Sequence, residues 1–120
     1  MRPKIEDAWF GSITVEGTRY EYDIIIRLSG KVRRRNKQLS KALYGTSHTI
    51  SLDEIRDLHR KRAERVIIGA GQEGKVVLSP EAAEFLAKKG CRVDILPTPD
   101  AITCWNGAEG QVLGLFHVTC

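Results

Sequence analysis

The sequence lacks the features that mark several large classes of protein. Its 120 residues contain no apolar run near the roughly 20 residues that a transmembrane helix needs, so we expect no membrane span. The first seven residues carry acidic side chains and have no apolar core, which predicts neither a signal peptide nor a transit peptide. Together these absences predict a cytoplasmic protein.

Cysteine is scarce and widely spaced. Cys91, Cys104 and Cys120 form no C-x-x-C pair, which argues against a structural zinc site and against a disulfide framework. Cys91 and Cys104 fall in predicted regular elements, so we expect both to be small buried hydrophobic side chains. The sequence predicts no metal site and no cofactor.

The remaining composition is that of one globular domain. Hydrophobic residues make up 42% of the chain and charged residues 28%, and a chain of 120 residues has room for one modest core. Residues 1–120 are therefore predicted to form a single domain. The formal net charge is +4, and its excess is concentrated in one run rather than spread evenly.

Alternating apolar residues predict an antiparallel meander at the start of the chain. Residues 9–15 alternate between apolar and polar, and Glu16-Gly17 predicts a hairpin turn into a partner strand over residues 19–27. Ser29-Gly30 then predicts a second turn into a short strand at residues 31–33.

The next stretch is predicted to be mostly irregular. Residues 36–49 hold few apolar side chains and several turn formers, which indicates a connection with one helical turn near Leu39. Ser51 and Glu54 form a capping-box pattern, which predicts a helix that runs to about Arg62.

The second half of the chain has the pattern of a parallel crossover. Val66-Ile67-Ile68 is apolar without alternation, as in a strand that is buried on both faces. Ser79-Pro80 predicts a helix start and Gly90 its end, and a strand follows over residues 92–96. A strand, a helix and a strand in this order form a right-handed parallel crossover.

The C-terminal part adds a helix and a strand. Thr98 is predicted to cap a helix that has Pro99 at its first position and runs through Trp105. Residues 111–118 form a last apolar strand. The predicted fold class is therefore α/β: a single compact domain whose mixed central sheet has an antiparallel N-terminal meander and a parallel crossover, with helices packed on the sheet.

A glycine-rich stretch follows the predicted central strand. Gly69-x-Gly71-x-x-Gly74 matches a dinucleotide-binding fingerprint, but in that fingerprint the third glycine already lies within a helix. Here the helix starts only at Pro80, so neither NAD nor FAD is predicted. Gly69, Gly71 and Gln72 still follow a strand end, where α/β sheets place ligand crevices. Two interpretations stay open, a tight turn and a binding site for an anion.

Cations cluster in the middle of the chain at Arg33, Arg34, Arg35, Lys37 and Lys41. Such a set can contact phosphates with an affinity that falls steeply with salt. No RNA-binding aromatic motif or DNA-reading module accompanies it, so nucleic acid is the least favoured partner. The alternatives are a solvated loop and a site for an anion or an acidic partner.

Two histidines are candidate reactive groups. Thr46, Ser47 and His48 can supply hydrogen bonds or a general base, or can simply stabilise a turn. His117 and Cys120 suggest a base and a thiol nucleophile, for which a structural role is the alternative. We assign no residue as catalytic from the sequence.

Several ordered motifs together resemble one known family. They are Trp9-Phe-Gly-Ser-Ile, Arg33-Arg-Arg-Asn-Lys-Gln-Leu-Ser-Lys, Tyr44-Gly-Thr-Ser-His48, Ile67-Ile-Gly-Ala-Gly-Gln72, Leu78-Ser-Pro-Glu-Ala82, Leu96-Pro-Thr-Pro99 and Leu115-Phe-His-Val-Thr-Cys120. The pattern is similar to the Mth938-like domain family over nearly the whole chain. This resemblance implies a compact α/β domain with a mixed central sheet, and it implies no enzymatic activity.

The Mth938-like domain family, which this sequence resembles, includes an adipogenesis-associated protein and, more distantly, a mitochondrial complex I assembly factor. The expected lack of a presequence argues against the assembly-factor role here. The leading hypothesis is a non-enzymatic binding or adaptor protein. Its anion-accepting cleft would lie at residues 69–72, flanked by residues 33–37 and 46–48, and would hold a small anion or an acidic protein segment.

Two alternatives remain. The first is a small enzyme that acts on an anionic metabolite through His48 or through His117 and Cys120. The second is weak nucleic-acid binding through residues 33–41. The sequence leaves the oligomeric state open.

Overall fold

The computed structural model describes residues 2–120 and divides them into ten strands and four helices. In chain order these are β1 (Ile5–Trp9), β2 (Ser12–Val15), β3 (Thr18–Tyr20), β4 (Ile24–Ile26), β5 (Val32–Arg34), α1 (Gln38–Tyr44), β6 (Thr49–Ile50), α2 (Leu52–Leu58), β7 (Arg65–Ala70), β8 (Val77–Leu78), α3 (Pro80–Lys88), β9 (Arg92–Leu96), α4 (Thr98–Gly107) and β10 (Val112–His117).

A five-stranded mixed sheet forms the middle layer of the domain, in the order β5-β4-β10-β7-β9. Strand β4 is antiparallel to both of its neighbours, whereas β10, β7 and β9 run parallel to one another. Strands β1, β2 and β3 form a separate antiparallel sheet, and β6 and β8 form a short parallel pair. The last strand in the sequence, β10, therefore lies at the centre of the main sheet.

Each face of the main sheet is covered by its own apolar core. On one face Ile68 and Leu115 pack with Ile55 of α2 and Leu86 of α3. Removing such fully buried aliphatic side chains from water stabilises the domain by roughly 1.5–3 kcal/mol each. This face also carries the β6–β8 pair.

The opposite face packs against α4 and the β1–β3 sheet. Trp105 of α4 meets Phe116 of β10 edge to face, with ring centroids 5.8 Å apart, and the Trp105 indole N–H donates to the Pro3 carbonyl at 2.9 Å. A Cβ atom at Gly114 would lie 2.7 Å from the Phe116 ring and 2.9 Å from the Trp105 ring. A glycine is therefore required for this ring pair to reach the sheet. Ile67 of β7 lies in this core, while its neighbours in the strand face the other one.

The main features of the predicted fold are confirmed. The chain is one α/β domain with a mixed sheet, Glu16-Gly17 turns between β2 and β3, and β7, α3 and β9 form a parallel crossover. The Ser79 hydroxyl accepts from the Ala82 amide at 3.2 Å, and Pro80 occupies the first turn of α3.

The predicted meander was wrong in two places. Residues 9–15 are not one strand, because the chain turns at Phe10 and Gly11, where Gly11 has a φ of +92°. Residues 19–27 divide between two sheets, since β3 stays at the surface while Ile24–Ile26 are all buried in the main sheet. The apolar residues Ile24–Ile26 are therefore part of the core, whereas the more polar residues of β3 lie at the surface.

The helices around the basic run also differ from expectation. Residues 36–49 contain the seven-residue helix α1, which ends at Gly45 with a φ of +72°, rather than a single turn. Its exposed Leu43 and Tyr44 gave no apolar stripe, and the buried residue of this helix is Ser40. Helix α2 ends at Leu58 and not at Arg62, because His59 adopts an extended backbone.

The predicted capping box is only half formed. The Ser51 hydroxyl accepts from the Glu54 amide at 3.1 Å, as expected. The Glu54 carboxylate does not return to the Ser51 amide, which instead donates to the Ser40 hydroxyl at 2.9 Å. Glu54 is directed to Arg35, and this contact belongs to the network described below.

Candidate functional site at the strand ends

The carboxyl ends of the parallel strands β7 and β10 bring together two distant parts of the chain. Ala70 and His117 are register partners at these ends. The glycine loop (residues 71–75) follows β7, and residues 118–120 follow β10. The Gln72 amide donates to the Thr119 carbonyl at 2.8 Å, and the Lys75 amide donates to the Cys120 carbonyl at 3.4 Å. Strand ends of this kind are where open α/β sheets bind ligands.

The glycine loop is packed closely against the residues that follow β10. Gly71 has a φ of +93°, and a Cβ atom there would lie 2.5 Å from the Cys120 carbonyl group. The Gly71 amide donates to the Thr98 hydroxyl at 2.9 Å. The amides of Gly71 and Gln72 are thus used inside the protein, and an anion at this loop would have to be held by other groups. The Gln72 side-chain Nε2 is buried and has no hydrogen-bond partner among residues 2–120.

Thr98 is not the helix cap that the sequence predicted. The N-cap of α4 is Pro97, which provides no side-chain hydrogen bond. The buried Thr98 hydroxyl donates to the His117 carbonyl at 2.7 Å and accepts from Gly71. A Cβ atom at Gly69 would approach this hydroxyl to 2.9 Å. One side chain therefore joins the ends of β7 and β10, and Gly69 leaves room for it.

His117 is held from both sides of its ring. Its Nδ1 lies 2.7 Å from Asp23 Oδ2, and its Nε2 lies 2.9 Å from the Thr119 hydroxyl. Because the carboxylate is an acceptor, Nδ1 is the donor of the first bond. The structure thus pairs His117 with Asp23 and Thr119, and not with Cys120 as the sequence suggested. The ring orientation is fixed by an acid, as in many reactive histidine sites.

Asp23 is ionised despite its burial. Burial by itself raises the pKa of this carboxyl, but hydrogen bonds from His117 and from the Val118 amide, together with the charge of Arg35, lower its pKa to about 2. The Val118 amide donates to Asp23 Oδ1 at 2.9 Å. The carboxylate therefore carries charge throughout the neutral range.

The sequence grouped Arg35 with the other cations of its run, as part of a solvated loop or of an anion site, but the structure buries it. It is 3% exposed, and it donates to Asp23 Oδ2 at 2.9 Å, to both carboxylate oxygens of Glu54 and to the Ser47 carbonyl at 2.8 Å. Burial lowers the pKa of the guanidinium, but the carboxylates of Glu54 and Asp23 raise it above its ordinary value. We refer to Asp23, Arg35, Glu54 and His117 as the buried ion network.

His48 is placed beside the residues that follow β10. The His48 amide donates to the Thr46 hydroxyl at 3.1 Å, so Thr46 stabilises the local turn. The His48 side chain reaches further, because its Nε2 lies 3.9 Å from Cys120 Sγ and its ring centroid lies 5.4 Å from that of His117. We refer to His48, His117, Thr119 and Cys120 as the strand-end cluster.

The predicted ligand-binding residues therefore fall into three groups: the buried ion network, the strand ends, and the cations Arg33, Arg34 and Lys37, which lie on a separate surface. Arg35 and the carbonyl of Ser47 are part of the buried network. Gly69, Gly71, Gln72 and His48 lie at the strand ends, with Thr46 supporting them. The ligand-binding role of these residues stays a prediction. The sequence did not indicate a role at this site for Asp23, Thr98 or Thr119. Both partners of the Thr98 hydroxyl lie 19 or more positions away in the chain, and Asp23 lies 94 positions from His117. Thr119 bonds to His117, whose own position the sequence did not fix.

The exposed cations form a separate surface on the basic segment (residues 31–41). Arg33, Arg34 and Lys41 are exposed and Lys37 is half-buried, and none of these four side chains forms an ion pair with another residue between positions 2 and 120. The Arg34 guanidinium lies 4.7 Å from the centroid of the Tyr22 ring. A shallow cavity of about 390 Å³ is lined by residues 34–38, without a residue of the glycine loop.

The described residues provide neither a metal-binding cluster nor a membrane-spanning helix. Between residues 2 and 120, no three side chains of histidine, cysteine, aspartate or glutamate are arranged to hold a metal ion. In the same part of the chain, none of the helices has the length and apolarity that crossing a bilayer requires. The cytoplasmic location stays a prediction from the sequence.

Comparison with known proteins decides the family. A family model described as a protein of unknown function (DUF498/DUF598) matches residues 5–116. The chain belongs to this family. A solved structure of similar fold is that of a conserved hypothetical protein from Pyrococcus horikoshii OT3, with a TM-score of 0.86 and 30% identity over 98% of this chain and 99% of the other.

One further structure supports this assignment, and another agrees in fold. A protein described as MT938 has a TM-score of 0.82 and 33% identity, covering 98% of this chain and 99% of its own. A Mth938-like domain from Bordetella pertussis, at 16% identity and a TM-score of 0.64 over 97% of this chain and 85% of the other, agrees in fold. The resemblance to the Mth938-like domain family is thus confirmed, and the family's description assigns it no function.

Proposed function

We propose that this domain is a non-enzymatic binding or adaptor protein that holds an acidic protein segment on its basic segment. The observation that carries the proposal is that Arg33, Arg34, Lys37 and Lys41 form no ion pair with any of residues 2–120. Charged side chains that lack partners within their own protein provide a complementary surface for a partner of opposite charge. Arg35, which is neutralised internally, takes no part.

The position of β5 in the sheet supports an extended partner. Strand β5 pairs with β4 on one side and forms an edge of the main sheet. The Lys31 carbonyl and the Arg35 amide bond toward β4, so the N–H and C=O groups of Val32 and Arg34 point to the free edge. An extended segment can add to such an edge through backbone hydrogen bonds. Its carboxylates would then lie opposite the cations of β5.

The cavity lined by residues 34–38 supports the same orientation. Its volume of about 390 Å³ accommodates a glutamate or aspartate side chain of the partner. The alternative is a purely protective role, in which the edge cations only prevent aggregation between sheets. Lysine and arginine commonly have this role at sheet edges. The two interpretations differ in one measurable property, a saturable affinity for acidic segments.

The experiment is a fluorescence-anisotropy titration with a labelled peptide of alternating glutamate and valine. We expect saturable binding that weakens as salt rises, and an affinity about tenfold lower for Arg34→Glu. Arg19→Glu, which reverses an exposed cation outside the basic segment, is the matched control and should bind as the natural protein does. Equal affinity for a glutamine–valine peptide would refute the proposal. A labelled DNA duplex in the same assay tests the nucleic-acid alternative.

The strand-end cluster favours a second candidate function, a small enzyme that acts on an anionic metabolite. Cys120 Sγ lies 3.9 Å from His48 Nε2, close enough for the imidazole to accept the thiol proton after a small adjustment. The thiolate is the nucleophilic form of cysteine. The Cys120 carbonyl is bonded to the Lys75 amide, which limits the movement of the thiol.

Alkylation by iodoacetamide tests this second candidate. We expect Cys120 to react more slowly in His48→Gln than in the natural protein, because the base is removed. His59→Gln changes the histidine at the C-terminal cap of α2, whose ring lies 5.3 Å from that of Phe85 in α3, and should leave the rate unchanged. If Cys120 reacts at the same rate in both variants, His48 does not activate it.

A further inference from the structure

We propose that two copies of this domain pair through the free edge of β9, the edge of the main sheet opposite the basic segment. Strand β9 pairs with β7 on one side, and no other strand within residues 2–120 pairs with its second side. The partner we infer is a second copy of the chain, joined by a twofold axis that passes through Val93. This interface is independent of the proposed function, since the two surfaces lie at opposite edges of the sheet.

The backbone direction of β9 defines which residues can pair. The Arg92 amide donates inward to the Glu64 carbonyl. Because successive residues of a strand point their backbone groups to opposite sides, the N–H and C=O groups of Val93 and Ile95 face the free edge. An antiparallel copy must therefore pair odd-numbered residues with odd-numbered residues.

Charge selects one register among those that remain. With the axis at Val93, Arg92 lies opposite Asp94 of the second copy, and the reverse pair forms by symmetry. These are non-hydrogen-bonded positions, where side chains approach most closely. An axis at Arg92 or at Asp94 would oppose like charges. An axis at Ile95 would bring Pro97, which has no N–H, into the ladder.

The apolar residues agree with this register. Val93 and Ile95 lie on the same face of β9, beside Val77 of β8, and line a groove of about 490 Å³ between β9 and α3. Val77 is 53% exposed and Ile95 is 37% exposed, and together with the other apolar residues of the groove they form one contiguous apolar surface. In the paired sheet, Val93 of each copy lies across from its symmetry mate and Ile95 lies across from Cys91. The second copy would then cover the open end of the groove.

The hydrogen bonds of the ladder can be assigned. The two Val93 residues exchange two bonds, and each Ile95 amide reaches a Cys91 carbonyl. The Cys91 amide already donates to Leu86 at 2.9 Å and adds nothing. A stable protein interface buries roughly 800 Å² of surface on each partner. The short β9 edge buries less surface than that, so we expect a dimer that dissociates at micromolar concentration.

Sedimentation equilibrium over a wide concentration range provides the first test. We expect the weight-average mass to rise from 13.4 kDa toward twice that value as concentration increases. Arg92→Glu should keep the protein monomeric at every concentration, because it places acids opposite each other. Arg62→Glu removes an exposed cation outside β9 and should dimerise as the natural protein does. Circular dichroism verifies that each variant is folded.

A mixing experiment tests the register itself. Arg92→Glu and Asp94→Lys each oppose like charges in their own homodimers, but a mixed dimer of the two places opposite charges together at both pairs. We expect heterodimers in native mass spectrometry of the mixture and monomers for each variant alone. A natural protein that stays monomeric at all concentrations overturns the proposal, as does a dimer that Arg92→Glu leaves intact. Mixing that fails to restore the dimer rejects this register.

Discussion

Replacing Arg35 by alanine tests the role of the buried ion network directly. The Arg35 side chain is fully buried and lies against Asp23 and Glu54, whose side chains are 5% and 3% exposed. In Arg35→Ala, Glu54 loses its ion-pair partner inside the protein, and Asp23 keeps only its contacts with His117 and the Val118 amide. Breaking a buried ion pair by removal of one partner costs about 3–5 kcal/mol, a large part of the 5–15 kcal/mol that usually stabilises a domain. We expect Arg35→Ala to lose stability on this scale.

The assay is urea unfolding at neutral pH, monitored by circular dichroism. Arg33→Ala is the control, because Arg33 is an exposed neighbour of the same type and its removal should change the free energy of unfolding by no more than about 0.5 kcal/mol. Arg35→Lys should be intermediate, since one ammonium cannot reproduce the fork of the guanidinium between two carboxylates. If Arg35→Ala falls within about 1 kcal/mol of the control, the assigned network does not stabilise the fold.

Three further predictions concern the stability of the domain at low pH and the residues at the strand ends. The pKa of Asp23 is lowered from an ordinary 3.8 to about 2. The ionised carboxylate therefore adds about 2 kcal/mol to the free energy of unfolding above pH 4, and this amount is lost as the pH falls toward 2. Urea unfolding across this range should show the loss in the natural protein and not in Asp23→Asn. Gly71→Ala should destabilise the domain by more than Gly17→Ala, because both have positive φ but only Gly71 meets other backbone atoms; equal melting temperatures would contradict this. Thr98→Val should cost about 1–3 kcal/mol and speed hydrogen exchange at the Gly71 amide, which loses its acceptor.

Much of the fold was predictable because its signals are local. The unbroken apolar run of β7 indicated a strand buried on both faces, and Ser79 and Pro80 located the start of α3 to the residue. The order of the strands was not predictable in this way. Nothing within β10 itself shows that it lies between β4 and β7, since that position depends on which strands are left to pair with it.

The candidate site was less predictable for a similar reason. Arg35 stands between two exposed arginines and an asparagine, and no local pattern distinguishes it from them. Its burial depends on Asp23 and Glu54, which lie 12 and 19 positions away. His48 and Cys120 are 72 positions apart. They meet because β6, which follows His48, pairs with β8, while Cys120 lies against the glycine loop that leads into β8. The residue types indicated which side chains can be charged or reactive, whereas the topology of the fold decided which of them contact one another.

The central position of β10 has a consequence for the order in which the protein folds. Strands β4 and β5 on one side and β7 and β9 on the other have no ladder with each other except through β10. While the chain is being synthesised, the two halves of the main sheet must wait for the strand that comes last, with Leu113, Leu115 and Phe116 unavailable to either core. Until that strand is inserted, both halves expose apolar edges. The interval before insertion is therefore the time when a nascent chain of this family is most exposed to aggregation and in greatest need of a chaperone.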